Sequence, residues 1–423
     1  HIQHYRYFFE RLQDPAWILA FKSKDLFKKP PPIEQGVIPH WAASEYLVRV
    51  ADRAPNPSIV MDTLLEIATV LAKQTDPNPF VIRDLIDASL KLPGDQAIRI
   101  VPKLKKWVHL VDGVFFVRRL GHLVVHLAQQ GKLAEALVLI SPLLAIERPA
   151  RDDSESLYQQ VKPRIRLFDY REIVEERLPS VLQAIGLPLF DNLCNILQKA
   201  AKLSRRSHAS DEWDDNSTFW HPIIGEQDED ERNDVRSVLV SASREAAEYL
   251  VRDGGEDLRA LVDGLESRPW LIFRRLALHL LRVFPTAPRE LVATRLTHEP
   301  LFRDRSLRTE YELLLRARFV DLNPEEKQVI LGWIEVGPPD LDQRIARWTE
   351  STGRHPAPEE IQRYRRQWQW ERLAPCRNGL PVEWQDRNAT MAAEFGEPEP
   401  RPARIEARSV ATGERSPQSE EEL

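Results

Sequence analysis

The stretch NPSIVMDTLLEIATVLAKQTDPNPFVIRDLIDASL, residues 56–90, decides the fold of this chain. Each half begins with asparagine and proline and continues with apolar side chains at every third or fourth position. Asparagine is a favoured N-cap and proline suits the first helical position, while that spacing places the apolar groups on one face of a helix. The stretch therefore predicts two amphipathic helices. Their apolar faces are Val60, Leu64, Ile67 and Leu71 in the first and Ile82, Leu85, Ile86 and Leu90 in the second.

The same periodicity extends outward in both directions along the chain. Further helices are predicted at 42–54, 115–130, 133–146, 174–185, 189–203, 235–250 and 273–283. Pairs of helices begin near residues 42, 79 and 113, so their spacings of 37 and 34 residues match those of helical-repeat proteins. Because a single hairpin cannot hide both of its apolar stripes, such pairs are expected to stack on their neighbours.

No convincing strand pattern accompanies these helices, so the predicted class is all-α. The predicted architecture is an α-solenoid of stacked helical hairpins, divided into two halves. We expect five segments along the 423 residues. They are 1–41 (N-terminal helices and a proline-rich break), 42–206 (first repeat segment), 207–234 (acidic linker or loop), 235–396 (second helical segment) and 397–423 (disordered tail).

Composition narrows the range of functions. The chain is 42% hydrophobic and 29% charged with a net charge of −6, so it has no overall bias toward nucleic acid or anionic membranes. Cys194 and Cys376 lie far apart and outside any metal-binding spacing, which predicts a reducing compartment such as the cytoplasm. No apolar stretch approaches the roughly 20 residues of a membrane span, and no membrane partner is expected.

An acidic stretch at 211–234 holds ten Asp and Glu residues against one arginine. This composition is typical of a linker or a long loop. Trp213, Phe219 and Trp220 lie within it, and aromatic side chains often anchor protein interfaces. Trp213 and Trp220 are therefore candidate contacts for a protein partner.

A basic and aromatic stretch at 363–372 supplies the other candidate residues. Arg363, Arg365 and Arg366 could hold phosphate groups, and Trp370 could stack on a base. The alternative is a solvated basic face on a helix that is partly buried, because neighbouring apolar residues follow helical spacing. Both interpretations place these four residues on one helix.

No motif for catalysis or cofactor binding is recognisable. His122 and His126 are four residues apart on one predicted helix face, yet the glutamate of a zinc-protease HExxH motif is missing, so we predict packed or surface histidines. Phosphate-binding and dinucleotide-binding glycine loops and the GxSxG elbow are absent from the sequence. We therefore predict no catalytic residue, no metal and no cofactor.

Two groups of residues carry a resemblance. Leu120-Gly121, together with 131–137, resembles one hairpin of a tetratricopeptide repeat. The segments 7–10 (YFFE), 29–32 (KPPP) and 380–384 (LPVEW) resemble parts of the helical-repeat regions, tetratricopeptide- or HEAT-like, of large bacterial multidomain proteins, such as signal-transducing NTPases of phage defence. That resemblance implies a sensor or scaffold arm whose NTPase motifs lie elsewhere in the polypeptide.

The functional hypothesis is a non-enzymatic helical scaffold or sensor module. It would bind a protein partner or another domain of a longer polypeptide, since the sequence begins His1-Ile2 without methionine and is expected to be a piece or a processed form. The first alternative is a nucleic-acid-binding helical repeat that uses the Arg/Trp-rich helix. A second, less favoured alternative is a helical hydrolase whose site is assembled from distant residues.

Overall fold

The chain is helical almost throughout. The computed structural model describes residues 2–33, 36–108, 114–148, 161–204, 215–225 and 233–396. The regular strands in these ranges are two short ones, β1 (Ile146–Glu147) and β2 (Lys162–Pro163), paired antiparallel with Ile146 opposite Pro163. The prediction of an all-α class is confirmed, while the stacking of hairpins into a solenoid stays a prediction. Within the described ranges, no helix has the length and apolar character needed to cross a bilayer.

Twenty-three α-helices follow one another through the described ranges. Up to residue 204 they are α1 (Ile2–Arg11), α2 (Trp17–Ser23), α3 (Ala42–Val50), α4 (Pro57–Leu71), α5 (Pro79–Ser89), α6 (Gly94–Ala97), α7 (Val101–Trp107), α8 (Val114–Gln129), α9 (Leu133–Leu143), α10 (Leu167–Glu172), α11 (Leu178–Ile185) and α12 (Leu187–Ser204). From residue 215 they are α13 (Ser217–Trp220), α14 (Val235–Arg252), α15 (Leu258–Glu266), α16 (Leu271–Val283), α17 (Arg289–Leu296), α18 (Glu299–Arg303), α19 (Arg308–Arg318), α20 (Pro324–Val336), α21 (Leu341–Thr352), α22 (Pro358–Leu373) and α23 (Val382–Phe395).

The helix starts follow the asparagine and proline signals. The side-chain oxygen of Asn56 accepts from the Ser58 N–H at 3.0 Å, and that of Asn78 accepts from the Phe80 N–H at 2.9 Å. Asn323 forms a reciprocal capping box with Glu326 at the start of α20. Each cap satisfies a backbone donor that the first turn of the helix leaves without a partner.

The chain divides into two compact units. The first comprises His1–Asp215 and Ile224–Ala287, and the second comprises Asn216–Ile223 and Pro288–Leu423. The five segments expected from the sequence, with the acidic linker or loop at 207–234, stay a prediction. Helix α14 packs on α12 and is buried on several faces, at Val238, Leu239, Val240 and Ser243. A helix covered on several sides joins the core of the unit that surrounds it.

Within the first unit, neighbouring helices pack in succession. Helix α3 lies against α1 and α5, α5 lies against α8, and α8 contacts both α9 and α11. The residues predicted to face the core of α4 are all fully buried: Val60, Leu64, Ile67 and Leu71. The predicted helix 133–146 is too long, because α9 ends at Leu143 and Ile146 belongs to β1.

A five-residue π-helical turn, Ile173–Arg177, joins α10 to α11. Such a turn is rare, and it corresponds to one extra residue inserted in an α-helix. Its side chains pack across α8 at Gly121, where an added Cβ would lie 3.6 Å from Cγ of Arg177 and 3.8 Å from Ile173. These are ordinary van der Waals distances, so an alanine would also fit at this position.

Candidate functional site

The Arg/Trp-rich helix, predicted to bind a partner, is α22 in the second unit. The guanidinium of Arg365 donates to the backbone oxygens of Glu335 at 3.1 Å and Val336 at 2.9 Å, at the end of α20. Gly337 ends α20 with φ of +95°, and a Cβ there would lie 2.9 Å from Nε of Arg365. Arg365 thus caps a neighbouring helix, where a cation also interacts favourably with the helix dipole.

The other three candidates on α22 differ in exposure. Trp370 is only 6% exposed, and its ring lies 5.8 Å from that of Phe395 on α23. Arg366 forms an ion pair with Glu394 at 3.0 Å. Arg363 is exposed. Trp370 therefore packs against α23, and Arg365 caps α20. Arg366 pairs with Glu394 on the surface. Arg363 is the remaining candidate, and its side chain is exposed to solvent.

Of the three aromatic residues in the acidic stretch, Phe219 and Trp220 lie within the described residues. Trp213 lies outside the described residues. Trp220 belongs to the short helix α13 and is half-buried, with its ring 6.3 Å from that of His221. Phe219 beside it is 60% exposed. Of this group, Phe219 presents the largest apolar surface.

The two histidines of α8 have different surroundings. Nε2 of His126 lies 3.0 Å from the backbone oxygen of Leu92, so this ring contacts the segment that follows α5. Burial lowers the pKa of His122, and the positive charges of Arg177 and Arg119 lower it further. A ring among arginines repels a cation. The described residues contain no group of three or more His, Cys, Asp or Glu side chains placed to hold a metal ion.

An aromatic cluster at the N-terminal helices was not predicted as a site. Phe9 and Phe21 are buried, with ring centroids 5.0 Å apart, and each lies within 6 Å of the ring of Tyr46 on α3. The Tyr46 hydroxyl donates to the backbone oxygen of Asp14 at 2.6 Å. Burial raises the pKa of Tyr46 to about 12. These contacts attach α1 and α2 firmly to the rest of the first unit.

The same two helices also carry exposed apolar side chains. We define the α1–α2 surface as Tyr7, Phe8, Trp17 and Leu19, which are 56%, 45%, 45% and 60% exposed. The rings of Phe8 and Trp17 each lie about 6 Å from the buried ring of Phe21, at 6.0 and 5.8 Å. Phe8 and Trp17 are therefore continuous with the buried aromatic cluster. Scattered apolar residues are normal on a protein surface, but a contiguous group of large ones indicates a binding surface.

Two further contacts position the α1–α2 surface. The Arg49 guanidinium donates to the backbone oxygen of Phe9. Asn78, which caps α5, also donates from its amide to the backbone oxygens of Pro31 at 3.2 Å and Pro39 at 2.8 Å. This fully buried asparagine thereby fixes the proline-rich segment that connects α2 to α3.

In the second unit, α21 offers a less apolar open face. No residue of α21 is buried, and a shallow groove is lined by Asp342, Ile345, Thr349, Glu350 and His355. Trp348 is 42% exposed, but the Arg354 guanidinium lies over its ring at 5.6 Å. Charges of both signs and only one large aromatic ring make this face a weaker candidate than the α1–α2 surface.

Comparisons with known proteins give no relative for this chain: no protein-family model, no curated protein and no solved structure matches it. The resemblance to repeat-containing bacterial proteins therefore rests on the sequence patterns alone. The exposed and buried side chains of this chain are therefore the basis for proposing a function.

Proposed function

We propose that this chain is a non-enzymatic helical module that binds a protein partner, or another domain of a longer polypeptide, through the α1–α2 surface. The observation that carries the proposal is that four large apolar side chains within residues 7–19 are exposed, and that two of them, Phe8 and Trp17, are continuous with a buried aromatic core. Tryptophan and tyrosine are the side chains that most often dominate binding energy at protein interfaces.

The energy available from this surface is considerable. An aromatic side chain buries about 200 Å², so a ring that is half exposed still has about 100 Å² to lose to a partner. At about 25 cal/mol per Å², each such ring contributes about 2.5 kcal/mol when covered. Phe8 and Trp17 are both of this kind. Because their backbone is already fixed by the packing of Phe9 and Phe21, little ordering entropy opposes the binding.

The alternative of nucleic-acid binding gains less support. Of the residues it requires, Arg365 donates to backbone oxygens of α20, and Trp370 is buried against Phe395. An indole that is covered by its own fold cannot stack on a base. Arg363 and Arg366 alone are ordinary surface cations, which the net charge of −6 does not reinforce.

The proposed function can be tested by cross-linking in the source cells. The full chain would carry a photo-reactive amino acid in place of Leu19, and its cross-linked partner would be identified by mass spectrometry. We expect the same partner to be lost from the double variant Phe8→Ser/Trp17→Ser. Leu133→Ser/Val138→Ser is the matched control, because these two residues of α9 are also exposed, at 37% and 38%.

We expect the control variant to retain the partner at wild-type yield. Circular dichroism would verify that both double variants remain folded. Equal recovery of the partner by the two double variants would show that the α1–α2 surface is not the binding site.

A further inference from the structure

We infer that the segment covering the α1–α2 surface is an acidic amphipathic helix, with apolar anchors on one face and Asp or Glu beside them. The inference rests on the proposed function and adds the chemical class of the partner. Its basis is the charge that surrounds the four apolar side chains.

The N-terminal region has the opposite charge to the chain as a whole. Residues 1–33 contain six Lys and Arg against three Asp and Glu, whereas the net charge of the chain is −6. All four lysines of this region follow Trp17, at positions 22, 24, 28 and 29. The lysines of this region therefore follow Trp17 closely in the sequence.

Carboxylates of the chain pair with only some of these cations. Lys22 pairs with Glu66 at 2.9 Å, Lys28 with Asp25 at 2.8 Å, and Arg6 with Glu10 at 2.7 Å. Three exposed cations remain, and among the described residues no carboxylate pairs with them. They are Arg11, Lys24 and Lys29.

Two of these cations border the apolar side chains. The Arg11 guanidinium lies over the ring of Tyr7, 4.5 Å from its centroid. Lys24 follows Trp17 by seven residues, which places the two on one side of α2, and it lies just after the last turn. A partner helix with apolar side chains at i, i+3, i+4 and i+7 could pack these side chains on Phe8 and Trp17. The side chains that flank its apolar face would then lie near these cations. Carboxylates there would form ion pairs that also speed association.

An anionic lipid surface offers similar charge, but the geometry of the rings favours a protein segment. Insertion into a bilayer interface requires side chains that reach roughly 5–10 Å below the head groups. The Trp17 ring instead lies against Phe21, with an interplanar angle of 22°, so it presents a face and does not project. A flat ring face suits packing by the side chains of another helix.

The inference can be tested with three synthetic 18-residue peptides that share leucine and tryptophan anchors at helical spacing. Their remaining positions are glutamate in the first, glutamine in the second and lysine in the third. Fluorescence anisotropy would measure binding of each labelled peptide to the full chain at 50 and 300 mM NaCl. Each exposed ion pair adds a modest amount, so three predict about tenfold tighter binding of the glutamate peptide than of the glutamine peptide at low salt.

Substitutions separate the charge from the apolar contact. Lys24→Gln/Lys29→Gln is expected to remove most of the preference for the glutamate peptide, whereas Lys105→Gln/Lys106→Gln, exposed lysines of α7, should leave it unchanged. Phe8→Ser/Trp17→Ser should abolish binding of all three peptides. High salt should reduce the preference by screening the charges.

Four results would overturn the inference. Equal affinity for the glutamate and glutamine peptides would remove the acidic requirement while leaving the proposed function intact. Undiminished binding by the Phe8/Trp17 variant would place the peptide elsewhere. Binding to phosphatidylserine vesicles without binding to any peptide would assign the surface to lipid. No binding of any of the three peptides would also contradict an acidic helix. The cross-linking experiment tests the proposed function separately from these peptides.

Discussion

The ring of Trp17 lies nearly parallel to that of Phe21, with centroids 5.8 Å apart and an interplanar angle of 22°. One ring is 5% exposed and the other 45%. Phe21 therefore attaches α2 to the core, while Trp17 covers Phe21 on one side and presents its other side to solvent. Neighbouring aromatic residues in the same short helix thus contribute differently to stability and to the surface.

This difference predicts unequal costs of truncation. Phe21→Ala should lower the free energy of unfolding by about 3–5 kcal/mol, because it removes a buried ring from a packed cluster. Trp17→Ala should cost less, about 2.5 kcal/mol, since only about half of its ring is buried. Urea denaturation of the full chain would measure both. Equal costs would contradict the assignment of Trp17 to an open surface.

Asn78 and Asn56 provide a matched pair of helix caps. Each side chain accepts from the first turn of its helix, but only Asn78 also donates, to the backbone oxygens of Pro31 and Pro39. Aspartate keeps the side-chain oxygen that accepts at the cap but lacks the amide N–H donors. Asn78→Asp should therefore lower the free energy of unfolding by about 2–4 kcal/mol, whereas Asn56→Asp should change it by less than about 0.5 kcal/mol. Thermal denaturation would compare the two variants. The interpretation of Asn78 as a tether fails if both substitutions have the same effect.

Arg365 and Arg363 lie two residues apart on α22 and should respond differently to substitution. Arg365→Met should destabilise the second unit by about 1–2 kcal/mol, because the backbone oxygens of Glu335 and Val336 lose a charged donor. Arg363→Met should be nearly neutral, since that side chain is exposed. Chemical denaturation would measure both changes. If Arg363→Met proved the costlier substitution, the capping role of Arg365 would be contradicted.

Asp84 predicts a distinct dependence of stability on pH. Its carboxylate accepts from the Ser44 hydroxyl at 2.6 Å and from Arg83 at 2.8 Å, yet burial outweighs these contacts and raises its pKa. The folded state therefore holds the proton more tightly than the unfolded state, so this group lowers stability as pH rises above 3.8 toward its folded pKa. Asp84→Asn should remove that decline. Asp84→Ala should cost about 1–3 kcal/mol, because the Arg83 guanidinium loses its carboxylate partner, whereas the Ser44 hydroxyl can still donate to the backbone oxygen of Trp41.

Denaturation of the wild type and Asp84→Asn between pH 3 and 7 would separate these effects. As the pH rises, the free energy of unfolding of the asparagine variant should increase relative to that of the wild type. A difference that is constant over this range would contradict a raised pKa for Asp84.

Glu360 predicts the opposite sign. Both oxygens of its carboxylate accept from Arg354 at 2.7 Å, and one also accepts from the backbone N–H of Ala357 at 2.8 Å. The Arg354 hydrogen bond, then that of Ala357, lowers the pKa of Glu360 to about 2. The stabilisation is complete above pH 4.5 and is lost as pH falls toward 2. Because the pair is fully exposed, it should be weak and sensitive to salt.

Carbon-detected NMR titration of the Glu360 carboxyl group would measure this pKa directly. Glu350, an exposed carboxylate of α21 in the same unit, is the internal comparison. A midpoint for Glu360 near that of an unpaired glutamate would show that the ion pair with Arg354 does not persist in solution.

Local signals in the sequence predicted much of the fold. The Asn-Pro dipeptides at 56 and 78 predicted the starts of α4 and α5, because a cap and a fixed φ act on residues next to them in the chain. Proline at 324 and 358 likewise stands at the first position of α20 and α22. Apolar spacing predicted the buried side of α4, since that spacing depends only on the geometry of the helix itself.

Distant contacts set the features that the sequence did not predict. Trp370 looks exposed in the sequence because it lies among arginines and glutamines, yet Phe395 of α23 covers it. The exposure of Phe8 and Trp17 was equally unpredictable, because their neighbours Phe9 and Phe21 have the same chemistry and are buried. A one-dimensional pattern cannot decide which of two adjacent aromatic residues faces another helix.

The π-helical turn at Ile173–Arg177 has a consequence for how this chain can vary in length. Deleting one residue there would restore an ordinary α-helix with little change in the direction of the side chains after it, because four α-helical residues turn the chain about as far as five π-helical ones. Leu178, Val181, Leu182 and Ile185 would then keep their side toward the core. This turn should therefore accept the loss of one residue, whereas a one-residue deletion inside α11 should rotate the side chains after it by about 100°.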